Sequence, residues 1–412
     1  REIFPLLRRR YLFSEVDDFL LYDFYSADGA VNEDIFAYSN RSGLDRSLVI
    51  YHNRFAEARG WIRDSAAYLA KSDGQERFLT RKTLGEGLEL HDSDGYYTIF
   101  RDSVTGLDYI RKSNLICQQG LYIELNAYQY HVFLDFREVV DTKEFYFAKL
   151  ERLLNGGGTP DIEVALRESI YEPLHGPFKK LVGPSTFVDF HRIIKRKLSQ
   201  NSIDRFTNKL SRDLKDFLRK ASEYSHGSMD EENIGTIIEK TNNEIQSILQ
   251  LTSLLSSPAE TEYPEYISAQ KFIEQSIDNI QVDKSFVWDI LFGWVLLQNI
   301  GMISEREGFE QRSREWLDEW LLGRVLADTY RSLGIDETQI QHSINIIRFL
   351  ISQTDWADSL TKIRRIKLII LDSWLVDPDI QQFLKINRYD DILWYNKEAF
   401  EQLLFWMMTI LL

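Results

Sequence analysis

The sequence predicts an α+β protein in which the two kinds of structure are segregated: an N-terminal antiparallel β-sandwich at about residues 34–140, then a large all-α region at 141–412. Three observations predict it. Short alternating apolar runs with turn residues between them fill residues 34–140 at roughly ten-residue spacing. The apolar period changes abruptly at Asp141. Beyond it, sets such as Phe206, Leu210, Leu214, Phe217 and Leu218 share one face at helical spacing.

The totals agree with such a chain. At 412 residues, 44% hydrophobic and 13% aromatic, it has material for two or three cores. A net charge of −15 argues against a nucleic-acid partner. The single cysteine, Cys117, excludes an internal disulfide and fits a reducing compartment, so the cytoplasm is the expected location. The first residues lack a secretory pattern. The start on Arg1 and the apolar last residues raise the expectation of a piece from a longer polypeptide. Phe286–Ile303 has nearly the length of a membrane span, but Asp289, Gln298, Asn299 and two glycines interrupt it. A buried core helix is expected there, and no membrane span.

Taken in order, residues 1–33 read as a short helix and a connector, with Arg8-Arg9-Arg10 as a solvated helix end and Asp28-Gly29 as a turn. Asp34 to Asn53 reads as a β-hairpin with Asn40-Arg41-Ser42-Gly43 as its turn. Residues 54–75 show no regular period and read as a long loop. Arg77–Leu84, Tyr96–Arg101, Leu107–Lys112 and the run Leu121–Val139 read as strands. Asp141 with Glu144 forms a capping-box pattern, and Thr159-Pro160 offers a second helix start after Gly156-Gly157-Gly158. Helices follow at Asn233–Leu255, after Asp336, after Asp377-Pro378 and after Asn396, with Gly334 closing one of them. A loop at 258–264 suggests two helical subdomains split near 256–264.

Three stretches in order resemble the alpha-amylase family of glycoside hydrolases, in which a catalytic barrel is followed by a β-sandwich called domain C. Glu2-Ile3-Phe4-Pro5-Leu6-Leu7-Arg8-Arg9 is similar to the segment carried by the barrel's last helix. Ile35-Phe36-Ala37-Tyr38-Ser39-Asn40 and Ser47-Leu48-Val49-Ile50-Tyr51-His52-Asn53 resemble the first strands of domain C. Leu121 to Tyr128, then Tyr130-His131-Val132-Phe133-Leu134, resemble its closing pair, with Ala127 where the family often has proline. The resemblance spans about residues 1–140. It implies the C-terminal accessory portion of an enzyme acting on α-glucans, its partner being an N-terminal catalytic barrel of the same polypeptide. The alternative is a non-catalytic glucan-binding or oligomerisation module.

Glycoside hydrolysis needs two carboxylates at the ends of barrel strands, and no string of that kind stands in this chain, so no catalytic residue and no cofactor is expected. For carbohydrate binding the candidates are Trp61, the only tryptophan of the β part, and Tyr96 and Tyr97, expected at a sheet edge after a turn. Core packing is the competing reading of all three. His91-Asp92-Ser93-Asp94-Gly95 is an incomplete calcium loop and reads as a turn, so no metal is expected. His131 reads as a packed core residue, Cys117 as a half-buried spectator, and the remaining tryptophans, such as Trp288, Trp294, Trp316 and Trp320, as helical core. Residues 191–220 hold ten Lys and Arg against three acids, a local net charge of +7, which reads as a solvated helical face or as an anion site.

Overall fold

The computed structural model describes residues 8–14, 18–71, 77–195, 200–225, 231–256, 264–278, 280, 284–305, 307–353, 374 and 376–410. Most of the stretch Glu2–Arg9 and of the loop at 258–264 lies outside the described residues. The chain forms two units, residues 1–170 and 171–412.

The first unit is built on one curled, eight-stranded antiparallel sheet, ordered β8-β7-β10-β3-β2-β1-β4-β9. Its strands are β1 (Leu20–Ser26), β2 (Ile35–Ser42), β3 (Asp45–His52), β4 (Ala58–Ser65), β7 (Tyr96–Asp102), β8 (Asp108–Lys112), β9 (Leu121–Leu125) and β10 (Tyr130–Val140). A separate ribbon pairs β5 (Tyr68–Lys71) with β6 (Arg77–Thr80). The hairpin forms as expected, but its turn is Gly43-Leu44, because the ladder runs unbroken from Ile35↔His52 to Ser42↔Asp45. Gly43 takes a φ of +61° at the first loop position, where a tight hairpin needs a residue free of a Cβ. Asn40 and Arg41 are therefore ladder residues.

Two expectations fail at this point. The connector at 1–33 contains β1, an interior strand, and the loop at 54–75 contains β4 and β5. β4 alternates in burial, but its inward residues are Ala58, Gly60 and Ile62, two of them too small to register as an apolar period. The chain uses that smallness. A Cβ on Gly60 would stand 2.1 Å from the Tyr25 carbonyl oxygen and 2.7 Å from the Phe24 ring.

Alternation sends Leu20, Tyr22 and Phe24 of β1, Leu48 and Ile50 of β3, and Leu121, Ile123 and Leu125 of β9 into one inner core. Helices α1 (Leu84–Gly87) and α2 (Ser113–Gln119) close it with Leu84 and Ile116. Thr83 and Glu86 form a capping box on α1. On the opposite face, α3 (Tyr146–Leu154) and the start of α4 (Ile162–Leu181) pack Leu150, Ile162 and Ala165 on Tyr97, Ile99 and Ile110. The boundary between units thus falls near residue 170 rather than 140.

Both predicted helix starts are displaced. Asp141 does cap α3, accepting from the Phe147 and Ala148 amides at 3.0 and 2.9 Å, but the helix begins only at Tyr146, after Phe145 in a left-handed conformation. Asp161, not Thr159, caps α4, accepting from the Glu163 and Val164 amides. Thr159 is spent on a bridge to Asp108.

The second unit is helical: α5 (Pro184–Lys195), α6 (Gln200–Tyr224), α7 (Glu231–Ser256), α8 (Pro264–Asp278), α9 (Lys284–Gln298), α10 (Phe309–Glu319), α11 (Leu322–Ser332), α12 (Glu337–Ile351), α13 (Pro378–Phe383) and α14 (Lys397–Ile410). A small hairpin, β11 (Asn387–Tyr389) and β12 (Ile392–Trp394), interrupts them. Asp336, Asp377 and Asn396 each accept from backbone amides of the helix that follows, and Gly334 follows α11 at φ +86°, all as the sequence predicts.

One core runs from Leu174 to Met407 and joins residues on both sides of 256–264, so the expected two helical subdomains are a single packed body. At its centre is α9. Phe286–Ile303 is the one segment among the described residues long and apolar enough to cross a membrane, and 89% of it is buried inside the fold. Phe292 stacks on Phe190 at 4.3 Å, and Tyr330 donates to the Asp289 carbonyl at 3.0 Å. Trp316 and Trp320 stack at 4.0 Å. Trp288, Trp294, Trp316 and Trp320 are core, whereas Trp394 is 60% exposed on its hairpin.

Gly60→Ala is expected to lower stability by about 2–3 kcal/mol, since backbone rather than a flexible side chain blocks the new methyl group. Urea unfolding followed by circular dichroism measures it, and a change within about 0.5 kcal/mol contradicts the strand spacing described.

Candidate functional site

Trp61 is held on β4 by its neighbours in register, Tyr25 on β1 and Tyr122 on β9. All three side chains alternate away from the inner core, on the face opposite Gly60 and Ile62. The Trp61 and Tyr122 rings lie 5.0 Å apart at 58°, and Tyr122 is 43% exposed on the edge strand. The Arg63 guanidinium lies 5.0 Å from the Tyr25 ring centre. The Tyr25 hydroxyl accepts from Arg81 at 3.3 Å, and the Tyr122 hydroxyl donates to Glu124 at 2.8 Å. The result is a row of three rings across three strands, flanked by charged groups. Such a row offers apolar faces for stacking and polar groups for hydroxyls, which is what a sugar chain requires.

Tyr96 and Tyr97 do not join it. Their strand β7 is an interior strand, with four strands between it and β4 in the sheet order, which corrects the expected edge position. Tyr97 is buried at 5% exposure among Ile99, Ile110 and Leu150, so it presents no ring face to solvent. Tyr96 is half-buried and stacks on His91 at 4.5 Å. Sequence reading missed Tyr25 and Tyr122. Only the register of β1 and β9 on β4 identifies them, and β1 and β4 were both unrecognised.

The other candidates resolve into structure. Asp92 and Asp94 accept from Gln118 and Asn114 on α2, and His91 pairs with Glu138 at 2.8 Å. Among the described residues no group of three or more His, Cys, Asp or Glu side chains is arranged to hold a metal ion. Cys117 is half-buried, and burial pushes its thiol up to about 11, which keeps it unreactive at neutral pH. His52 is buried against the Asn126 carbonyl. His131 is buried as expected and pairs with a carboxylate the sequence did not single out. Asp102, fully buried, meets His131 Nδ1 at 2.9 Å and accepts from Thr105 Oγ1 and the Val104 amide. Burial pushes the Asp102 carboxyl upward, but the hydrogen bonds from His131, Thr105 and Val104 outweigh it and hold it below the usual range.

In the helical unit the Glu244 carboxyl is strongly perturbed. Burial pushes it up to about 7, against the pull of Lys240 and hydrogen bonds from Asn299 and Gln298. No family model, no curated protein and no solved structure matches the chain.

Two pH effects of opposite sign follow. Asp102 has a depressed folded value, so its contribution is present above the unfolded value of about 3.9 and is lost as pH falls through the folded one. Asp102→Asn is therefore expected to cost about 1–3 kcal/mol at pH 7, and the gap to the parent narrows below about pH 4. Glu244 has a raised folded value, so the native state gains stability as pH falls through about 7. Glu244→Gln is expected to stabilise the protein by about 2–3 kcal/mol at pH 8, with the difference shrinking as pH falls and closing only at about pH 4, below the unfolded value. Urea titrations at the named pH values check both.

Proposed function

We propose that this chain is the C-terminal accessory portion of an alpha-amylase-like glycoside hydrolase acting on α-glucans in the cytoplasm. Its curled sheet acts as the domain C sandwich and buttresses a catalytic barrel carried by the same polypeptide. The helical unit is an accessory or assembly module.

One observation carries this reading: the outer face of the strands that bear the resemblance is apolar and partly covered by the segment that enters the sheet. Of the resembling stretches, the hairpin β2–β3 and the distant β10 are neighbours in the sheet, whereas β9 pairs with β4 at the far edge and not with β10, so the expected closing pair does not form. Phe36, Tyr51 and Tyr130 form one row across them, each between 37% and 48% exposed. Beside that row, Leu12 of the 3-10 turn Arg10–Phe13 is buried against Val132 and Leu134. An apolar face next to a docked entering segment suits a sheet that packs on what precedes it.

Release of reducing sugar from soluble starch tests the proposal. This chain alone is expected to release none, and a longer chain carrying the upstream polypeptide is expected to release it. Starch cleavage by this chain alone, or an upstream reading frame without an eightfold strand–helix barrel, overturns the reading. In the active longer chain, Leu12→Asp is expected to lower thermal stability by several degrees.

A second reading, a non-catalytic glucan-binding module, is favoured by the Tyr25–Trp61–Tyr122 row. Titration with maltooligosaccharides is then expected to quench tryptophan fluorescence, with Trp61→Ala or Tyr122→Ala weakening binding about tenfold. Equal affinity in the variants, or no binding by the parent, removes it.

A further inference from the structure

The basic stretch of the helical unit has a use that neither reading absorbs. The second half of α5 and the first half of α6 wall a cavity of about 320 Å³. Arg192, Arg205 and Lys209 line it, with Asp189 as the one acid among its lining residues. Asp189 takes Arg192 at 2.8 Å and lies 3.9 Å from Lys209. Arg205 has no carboxylate partner among the described residues.

Arg205 and Lys209 stand one helical turn apart on α6. Like charges at that spacing repel, and a single carboxylate does not neutralise three cations. The cavity therefore keeps an excess of positive charge within a protein of net charge −15. Its floor is apolar. Phe206, 7% exposed and braced by Phe190 and Phe292, lies beside Ile193.

We propose that this cavity binds a small organic phosphate monoester, its phosphate held by Arg205, Lys209 and Arg192 and its carbon skeleton resting on Phe206 and Ile193. The chemistry matches at each point. A guanidinium pairs with two phosphate oxygens at once, and a second cation completes the neutralisation. The volume lies at the small end of ligand pockets, suiting a group of about one sugar ring. Size also follows from charge. The acidic protein as a whole repels an extended polyanion, whereas a small anion responds to the field within the screening length of about 8 Å.

Isothermal titration of the full chain tests the proposal, with a hexose 6-phosphate, inorganic phosphate and the free hexose as probes. Vesicles of phosphatidic acid in phosphatidylcholine are the lipid arm. The expected result is saturable binding of the hexose phosphate with one site, tighter than inorganic phosphate, and none of the free hexose. Arg205→Gln and Lys209→Gln, both at solvent-accessible positions, are each expected to weaken it at least tenfold. Arg331→Gln, which removes a cation paired with Glu337 on another helix, should leave it unchanged. Absence of saturable binding overturns the proposal. So does equal affinity in the Arg205 and Lys209 variants with their circular dichroism intact, or vesicle binding in place of the soluble ester.

Discussion

The register of the β2–β3 hairpin is the constraint on which the first unit depends. Side chains on a strand alternate, so a slip of one residue would carry Ile35, Ala37, Leu48 and Ile50 from the inner core to the outer face. The two-residue turn at Gly43-Leu44 holds that register at one end. β10 pairs on the far side of β3 and β1 on the far side of β2, so both inherit it. The same alternation that fills the core leaves Phe36, Tyr51 and Tyr130 in line on the other side. Core and candidate docking face are thus two consequences of one pairing.

The aromatic row at the other end of the sheet is made by close approach. Gly60 lets β4 lie against the Tyr25 backbone, and the next residue, Trp61, is thereby set between Tyr25 and Tyr122. A larger residue at 60 would separate the strands that carry the three rings. Burial sorts the remaining polar groups. His131 and Asp102 satisfy each other inside the sheet, where an unpaired carboxylate would cost several kcal/mol. That pair resembles catalytic machinery in composition, yet both groups are buried and hydrogen-bonded to structure, which is the signature of a stabilising network.

The helical unit is organised by α9, whose residues are buried on nearly every side. A helix apolar all round needs neighbours all round. That need draws helices before and after residues 257–263 into one core and leaves the cations of α5 and α6 to the periphery. The cavity between those two helices is a by-product of that packing, and its charge comes from residues the core did not need.

By itself the sequence determined the segregation of strands from helices, the hairpin, strands β7 to β10, the buried character of Phe286–Ile303 and the caps at Asp336, Asp377 and Asn396. Those features are local, written in periodicity and in capping residues a few positions apart. The tertiary structure alone decided that residues 58–65 are a strand, because Ala58 and Gly60 are too small to give an apolar period, whereas Leu20, Tyr22 and Phe24 of residues 20–26 do alternate and their strand was locally legible. It alone moved the domain boundary to near residue 170, since α3 and the start of α4 cover a sheet face that no local pattern announces. It alone removed Tyr97 from the surface and set Tyr25 and Tyr122 beside Trp61. Which rings meet depends on strand order, and strand order is a property of the whole sheet.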